Sequence, residues 1–318
     1  MSNEFSIKND DCIEWMIKAK DKGIKFDLSI FSPPFSSLYV YSKHPADMGN
    51  SKESDDEFLM HFKFFTDALF PLIKDGRNVC VHVQNPSRSL TNHGYIGIWD
   101  MRGEMIKIFE QSGFNYYGEA TIFKNPQVQS IRTKTHCLSF TQMVKDSLKV
   151  RPALADYLLI FKKGYSSEIP VNNNGETRKN SYNGIERIDI TNDDWINWAS
   201  PIWCTDYDGY FLPYQTSWFN IRETNTLNFR MARTEEDERH LCPLQLDLIE
   251  RCVKLYSNKG ECIFSPFTGI GSEGYISLKN NRKFFGIELK KEYYDIANNN
   301  CEIAIKERES ENIQKSIF

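Results

Sequence analysis

Residues 261–300 read ECIFSPFTGIGSEGYISLKNNRKFFGIELKKEYYDIANNN, and this stretch governs how the rest of the chain is understood. It runs as strand, glycine-rich turn, helix, strand and helix, the repeating unit of a doubly wound sheet. Gly269-x-Gly271-x-x-Gly274 matches the formal G-x-G-x-x-G spacing. Glu288 lies about 20 residues beyond Gly269, where a carboxylate can accept from ribose hydroxyls. The glycines let the backbone come close to a ligand, although glycines at a strand–helix turn also serve plain packing. NAD(P) and S-adenosylmethionine both suit such a turn. Pyrophosphate binding wants it on the first strand, with a second mononucleotide half behind it. Here little chain remains, so a ligand with one nucleoside fits better.

Working outward, other segments alternate in the same way. KFDLSIF (25–31), NVCVHVQ (78–84), YYGEATIFK (116–124) and DYLLIFKKG (156–164) read as strands. SDDEFLMHFKFFTDALFPLI has a Ser/Asp start and places Phe58, Leu59, Phe62, Phe65 and Leu69 at helical spacing. MRGEMIKIFEQSG reads as a helix stopped by Gly113, and CPLQLDLIERCVKLYS as a helix with Pro243 near its start. The pattern predicts an α/β fold, a mostly parallel sheet with helices on both faces. Tyr165 to about Arg239 lacks clear periodicity and is rich in Asn, Asp, Thr, Tyr and Trp, which suits an irregular insertion carrying recognition loops. The expected organisation is a catalytic half at 1–164, an insertion at 165–239 and a cofactor-binding half at 240–318.

The second informative stretch is IFSPPFSSLY (30–39). Proline donates no backbone hydrogen bond and fixes φ, so Pro33-Pro34 ends a buried strand abruptly. By itself that is a stiff strand terminus.

Bulk properties bound the class. The chain has 318 residues, 40% hydrophobic, 26% charged and 14% aromatic, enough for one large domain with an insertion. No apolar run approaches the roughly 20 residues of a membrane span. MSNEFSIKNDD lacks an apolar core of a secretion signal, so a cytoplasmic protein without a membrane partner is expected. The eight cysteines are scattered, with no C-x-x-C pair, so reduced thiols and no metal site are expected. A net charge of −4 argues against simple coating of nucleic acid but leaves room for a local basic groove.

FSPFTGIGSEG followed by FFGIELKKEYYDIA resembles the D-P-F-x-G-x-G-T … G-I-E block of bacterial and phage DNA amino-methyltransferases. Ser32-Pro33-Pro34-Phe35 resembles their catalytic (S/D/N)-P-P-(Y/F) tetrapeptide, and DDCIEWM their N-terminal G-D-C/A motif. RHLCPLQLDLIERCVKLYS is similar to the helix ahead of their cofactor loop. The order, box first and glycines last, is that of the permuted beta class. Departures are Ser265 for the usual acid before Pro-Phe, Ser272 for Thr, and Cys242 and Gln245 around Pro243. The first leaves open any contact from that position to the methionine amino group.

The resemblance implies S-adenosylmethionine as methyl donor and a Rossmann-like methyltransferase fold. Phe267, Gly269 and Gly271 would form the methionine-side loop, Ser265 would stand with the cofactor-binding residues, Glu288 would hold the ribose, and Asp11 and Cys12 would lie at the adenine ring. Asp11 has an alternative as a solvated turn acid. An exocyclic amine is a poor nucleophile, while a sulfonium methyl is already activated, so orientation matters more than a strong base. The Ser32 hydroxyl and Pro33 carbonyl can accept the two amino hydrogens, the prolines keep those acceptors aimed, and Phe35 can stack on a base taken out of the duplex. Serine first and phenylalanine fourth favour N4-cytosine over N6-adenine within the family. C5 methylation would need a nucleophilic cysteine, commonly in a Pro-Cys pair, and no cysteine follows a proline.

The expected partner is double-stranded DNA. Lys124, Arg132, Lys134, Lys145, Lys149 and Arg151 stand against Asp146 alone between 124 and 153, a candidate phosphate-contacting surface that also reads as a solvated face. A homodimer is expected by analogy with the class. An NAD(P) oxidoreductase is the competing reading of the glycine turn, but it leaves Ser32-Pro33-Pro34-Phe35 without a role. A non-catalytic DNA-binding relative is another, against which the intact box counts.

Overall fold

The computed structural model describes residues 4–34, 55–124, 144, 151–164, 190–206, 220–222, 224–227 and 243–317. A nine-stranded sheet organises them. In chain order its strands are β1 (Phe5–Asn9), β2 (Phe26–Phe31), β3 (Ile73–Gln84), β6 (Asn115–Phe123), β7 (Asp156–Lys162), β8 (Ile202–Asp206), β9 (Asn220–Arg222), β10 (Cys262–Ser265) and β11 (Lys283–Glu288). A small β4–β5 ribbon (Ser87–Arg88 with Gly97–Ile98) lies apart. The spatial order is β1-β11-β10-β2-β3-β7-β6-β8-β9. All neighbours run parallel except β7, which is antiparallel to both β3 and β6. The α/β class and mostly parallel sheet expected from the sequence are therefore present.

Helices cover both faces. On one lie α1 (Cys12–Asp21), α2 (Asp55–Leu69) and α4 (Met101–Gln111). They bury Met16, Phe58, Phe62, Phe65, Leu69, Met105 and Phe109 against Phe31, Val79, Val81 and Phe161. The apolar spacing of α2 delivers Phe58, Phe62 and Phe65 to the core with no exposure. On the other face lie α6 (Leu246–Tyr256), α7 (Ser272–Lys279) and α8 (Lys291–Ile317), which pack Leu248, Ile249, Cys252, Leu278, Ala297 and Cys301 on Leu28, Ile30, Cys80, Leu158 and Ile263. Strand residues alternate between the two faces as the pleat requires. A register shift between Phe26 and Leu28 breaks that alternation and lets Phe26 stack on Phe264 at 4.4 Å in the first core.

Within the stretch that lacks periodicity, residues 192–198 form α5 (Asn192–Trp198) under a Thr191–Asp194 capping box, and β8 and β9 extend the sheet. Trp203 of β8 is 2% exposed, so this edge has its own buried anchor. A four-residue helix, α3 (Leu90–His93), completes the described elements.

Candidate active site

The carboxyl ends of β1, β11, β10 and β2 lie side by side, because these four strands are neighbours and parallel. Asp11 follows β1, Glu288 ends β11, Ser265 ends β10 and Ser32 follows β2. Residues from opposite ends of the chain thus share one edge of the sheet. Such an edge is where ligands bind in open α/β sheets.

The glycine turn is held tightly. Thr268 N donates to Ile287 O at 3.0 Å, Thr268 Oγ1 to Ser265 O at 3.2 Å, and Gly271 N to Thr268 O at 2.9 Å. Gly269 and Gly271 adopt φ of 53° and 91°, a left-handed conformation that favours glycine. Gly274 serves packing: a Cβ there would stand 2.6 Å from Cys301 Sγ and 2.7 Å from Phe284 Cδ1. A Cβ on Gly269 would meet nothing within 4 Å among the described residues, which leaves this part of the turn room for a ligand.

Glu288 is fixed before any ligand arrives. Its Oε2 accepts from Gly269 N at 2.7 Å and its Oε1 from Lys290 N at 2.9 Å. The carboxylate therefore ties the glycine turn to the end of the next strand. The Ser265 hydroxyl is fully buried and has no hydrogen-bond partner among the described residues, in a position the sequence assigns to the cofactor site. Phe267 turns inward onto Phe31 and Phe65, with centroids at 5.6 and 4.9 Å. Phe31 immediately precedes Ser32, so the loop and the box are packed together through one aromatic contact.

Asp11 caps α1, its Oδ1 accepting from Glu14 N at 2.8 Å. Cys12 lies in the core behind it, and burial together with the Asp11 carboxylate pushes its thiol far up, so it is an inert hydrophobe. Ser32 Oγ donates to His82 O at 3.1 Å. Pro33 is buried and Pro34 half-buried directly beyond β2. Phe35 lies outside the described residues, as do Arg132, Lys134, Lys145 and Lys149. Lys124 and Arg151, the described members of the basic stretch, both engage protein groups. Lys124 Nζ is 2.8 Å from the buried Asp156 carboxylate, and Arg151 Nη2 donates to Ser87 Oγ at 2.5 Å.

Two groups at this edge escaped the sequence reading. Glu273, in the first turn of α7, is buried, and burial pushes its carboxyl up to about 8, with Glu288 adding to the effect. His82 stands next to Ser32 and is paired with Asp156, Nε2 to Oδ2 at 3.0 Å. Burial raises the Asp156 carboxyl, but the Lys124 ammonium and His82 outweigh it and hold the group below its ordinary range. The signal for His82 was its place in VCVHVQ, where it occupies a core-facing position. Among the described residues, no group of three or more His, Cys, Asp or Glu is placed to hold a metal, and no helix is long and apolar enough to cross a membrane.

Comparison with known proteins agrees with this geometry. The sequence pattern of the family described as DNA methylase matches residues 26–299. The type II methyltransferase M.BglI of Bacillus subtilis is 22% identical over 251 residues, 73% of this chain and 64% of that protein. The orphan methyltransferase M.BamHII of Bacillus amyloliquefaciens is 45% identical over 51 residues, which is 16% of this chain and 19% of that protein. The matches thus span less than two thirds of either relative. Among solved structures, a candidate DNA modification methylase of Thermus thermophilus, complexed with S-adenosyl-L-methionine, superposes with a TM-score of 0.61 at 15% identity, over 95% of this chain and 94% of that one. The PvuII cytosine-N4-specific DNA methyltransferase gives 0.58 at 13% identity, over 94% and 87%. These likenesses show the fold. The match over most of the chain shows more: this chain belongs to the DNA methylase family.

Proposed function

We propose that the protein transfers a methyl group from S-adenosylmethionine to an exocyclic amine of a base in double-stranded DNA, with N4 of cytosine favoured over N6 of adenine. The observation that carries this reading is the adjacency of the glycine turn and the Ser-Pro-Pro box, on neighbouring strands β10 and β2 and clasped by Phe267 on Phe31. The residues fit the donor. Among the described residues the turn is open at Gly269, Glu288 is presented at the next strand end, and Ser265 keeps an unpartnered hydroxyl. When bound, S-adenosylmethionine supplies a methyl group on a sulfonium sulfur, which keeps the electron pair of the methyl–sulfur bond.

The remaining work falls to the chain. Glu288 would orient the ribose hydroxyls, and the 265–271 loop would hold the methionine end. Ser32 Oγ and the Pro33 carbonyl would accept the amino hydrogens and aim the nitrogen lone pair, an entropic and electrostatic contribution more than an acid–base one. Phe35 would hold the extruded base by stacking. Residues 165–239 are the proposed target-recognition region, and a homodimer would follow the analogy to the beta class. The preference for cytosine is supported by serine in the first box position and phenylalanine in the fourth.

The test is to incubate the protein with S-adenosylmethionine and unmodified plasmid DNA, digest the DNA to nucleosides, and analyse them by mass spectrometry. N4-methylcytosine is expected. N6-methyladenine would keep the reaction class and reverse the base preference. If both are absent while S-adenosylmethionine binds, the DNA substrate assignment fails.

A further inference from the structure

Four strands carry apolar residues on the face covered by α6, α7 and α8, then change character at one edge. Two residues beyond Ile30 comes Ser32, beyond Cys80 come His82 and Gln84, and beyond Ile122 comes Lys124. In antiparallel β7 the residue two before Leu158 is Asp156. Side chains two apart on a strand share a face, so these polar groups form a rim on the face beside the box. Such a rim is costly: Asp156 is 5% exposed and His82 8%, where further apolar residues would fill the space without burying charge.

The rim is hydrogen-bonded in series. Lys124 Nζ lies 2.8 Å and His82 Nε2 3.0 Å from Asp156 Oδ2, while Gln84 Nε2 donates to Asp156 Oδ1 at 2.7 Å. His82 Nδ1 lies 3.5 Å from Ser32 Oγ. An ionised carboxylate only accepts, so Nε2 carries a ring proton, and a ring protonated there alone offers Nδ1 as an acceptor. Ser32 Oγ consequently faces two acceptors from one residue, His82 O at 3.1 Å and His82 Nδ1. Its single proton is drawn towards His82, which leaves its lone pairs for an incoming amino hydrogen.

We propose that His82, held by Asp156 and Lys124, is a positioning residue that sets Ser32 as an acceptor for the target amine and relays the proton the amine gives up. This rests on the reading of Ser32 given above. The amine loses one proton for each methyl group it gains. That proton passes to Ser32 Oγ while the hydroxyl's own proton passes to His82 Nδ1. Ser32 ends as a hydroxyl and His82 as an imidazolium beside the Asp156 carboxylate, and the imidazolium returns its proton to water on product release. The 3.5 Å separation is a resting distance, and catalytic hydrogen bonds of this kind tighten once substrate is in place. Lys124, read from sequence as a phosphate contact, is on this account the counter-charge that keeps Asp156 ionised.

Long-range proton–nitrogen NMR of the protein alone, without donor or DNA, reads the His82 tautomer. The His82 signal is identified by its loss in His82→Gln. A ring carrying its proton at Nε2, with Nδ1 bare, is expected, and a ring protonated at Nδ1 would overturn the proposal. The second measurement is single-turnover methyl transfer by an Asp156→Asn/Lys124→Met double variant, which removes both charges and leaves no unpaired ion in the interior. Its rate should fall at least about tenfold while the affinity for S-adenosylmethionine, by calorimetry, stays within about twofold. An unchanged rate would overturn the relay. If the wild type methylates no DNA, the functional reading fails, and the tautomer measurement still decides the His82 arrangement.

Discussion

The two ends of the sheet each bury a cluster of charges, and they are built differently. At the amino end, Arg77 forks onto Glu261, with Nη2 to Oε1 at 2.6 Å and Nη1 to Oε2 at 3.0 Å. Glu261 also accepts from Asn258 N at 2.7 Å, and Asp27 accepts from Lys74 Nζ at 2.7 Å and Cys262 N at 3.0 Å. That cluster ties β2, β3 and the start of β10 together, and each of its two carboxylates is held by at least two donors. At the carboxyl end, among the described residues, the chain of bonds from Lys124 through Asp156 and His82 stops at Ser32, and the Ser265 hydroxyl has no partner. A satisfied buried network specifies a fold, whereas one that ends in free acceptors awaits a ligand. The difference separates scaffold from site without reference to any motif.

That contrast can be broken most severely at Ser32. A Ser32→Ala variant should lose about 100-fold or more in methyl transfer, by analogy with the loss of one positioned polar group, with its melting temperature nearly unchanged. The amino-end cluster should behave in the opposite way. Arg77→Met leaves Glu261 and Asp27 buried without their guanidinium, so urea denaturation should show a loss of about 3–5 kcal/mol. Methyl transfer per folded molecule should be retained.

Glu273 sharpens the comparison through pH. Its folded value of about 8 lies above the ordinary 4.5, so the folded protein keeps a proton that the unfolded chain gives up. The contribution is present in full at low pH and is lost as pH rises from about 4.5 to about 8. Glu273→Gln should flatten that decline and gain on the order of 1–3 kcal/mol at the alkaline end, measured by denaturation at a series of pH values. The smallest effect belongs to neither cluster. Glu4 and Arg308 pair at 2.8 Å near the surface, and Glu4→Gln should cost less than about 1 kcal/mol, with added salt shrinking it further.

Much of the carboxyl edge was legible in the sequence because its signals are local. Gly269, Gly271 and Glu288 stand at spacings set by one turn and one strand, and Pro33-Pro34 marks the end of β2 within a single tetrapeptide. The helices that bury Phe58, Phe62 and Phe65, or Leu248 and Ile249, follow from periodicity alone. What the sequence concealed depends on pairing. The reversed direction of β7 is decided by its neighbours, not by DYLLIFK. β3 begins at Ile73, earlier than its alternating stretch, because Gly76 at φ 73° carries the strand through a segment that reads as a turn. β8 and β9 have five and three residues, too short for a period to show. His82 and Asp156 meet across 74 positions of sequence, and only their polarity at core-facing positions hinted that they belong together.

The central claim is that the edge shared by Ser32 and the glycine turn is where an amine on DNA is methylated. It is tested most directly by following isotope-labelled methyl groups from S-adenosylmethionine into DNA, in parallel with calorimetric binding of S-adenosylmethionine, for the wild type and Ser32→Ala. The account predicts label on an exocyclic base nitrogen with the wild type, and retained binding with label transfer lost in the variant. Equal transfer by both proteins, or label on a ring carbon, would contradict it.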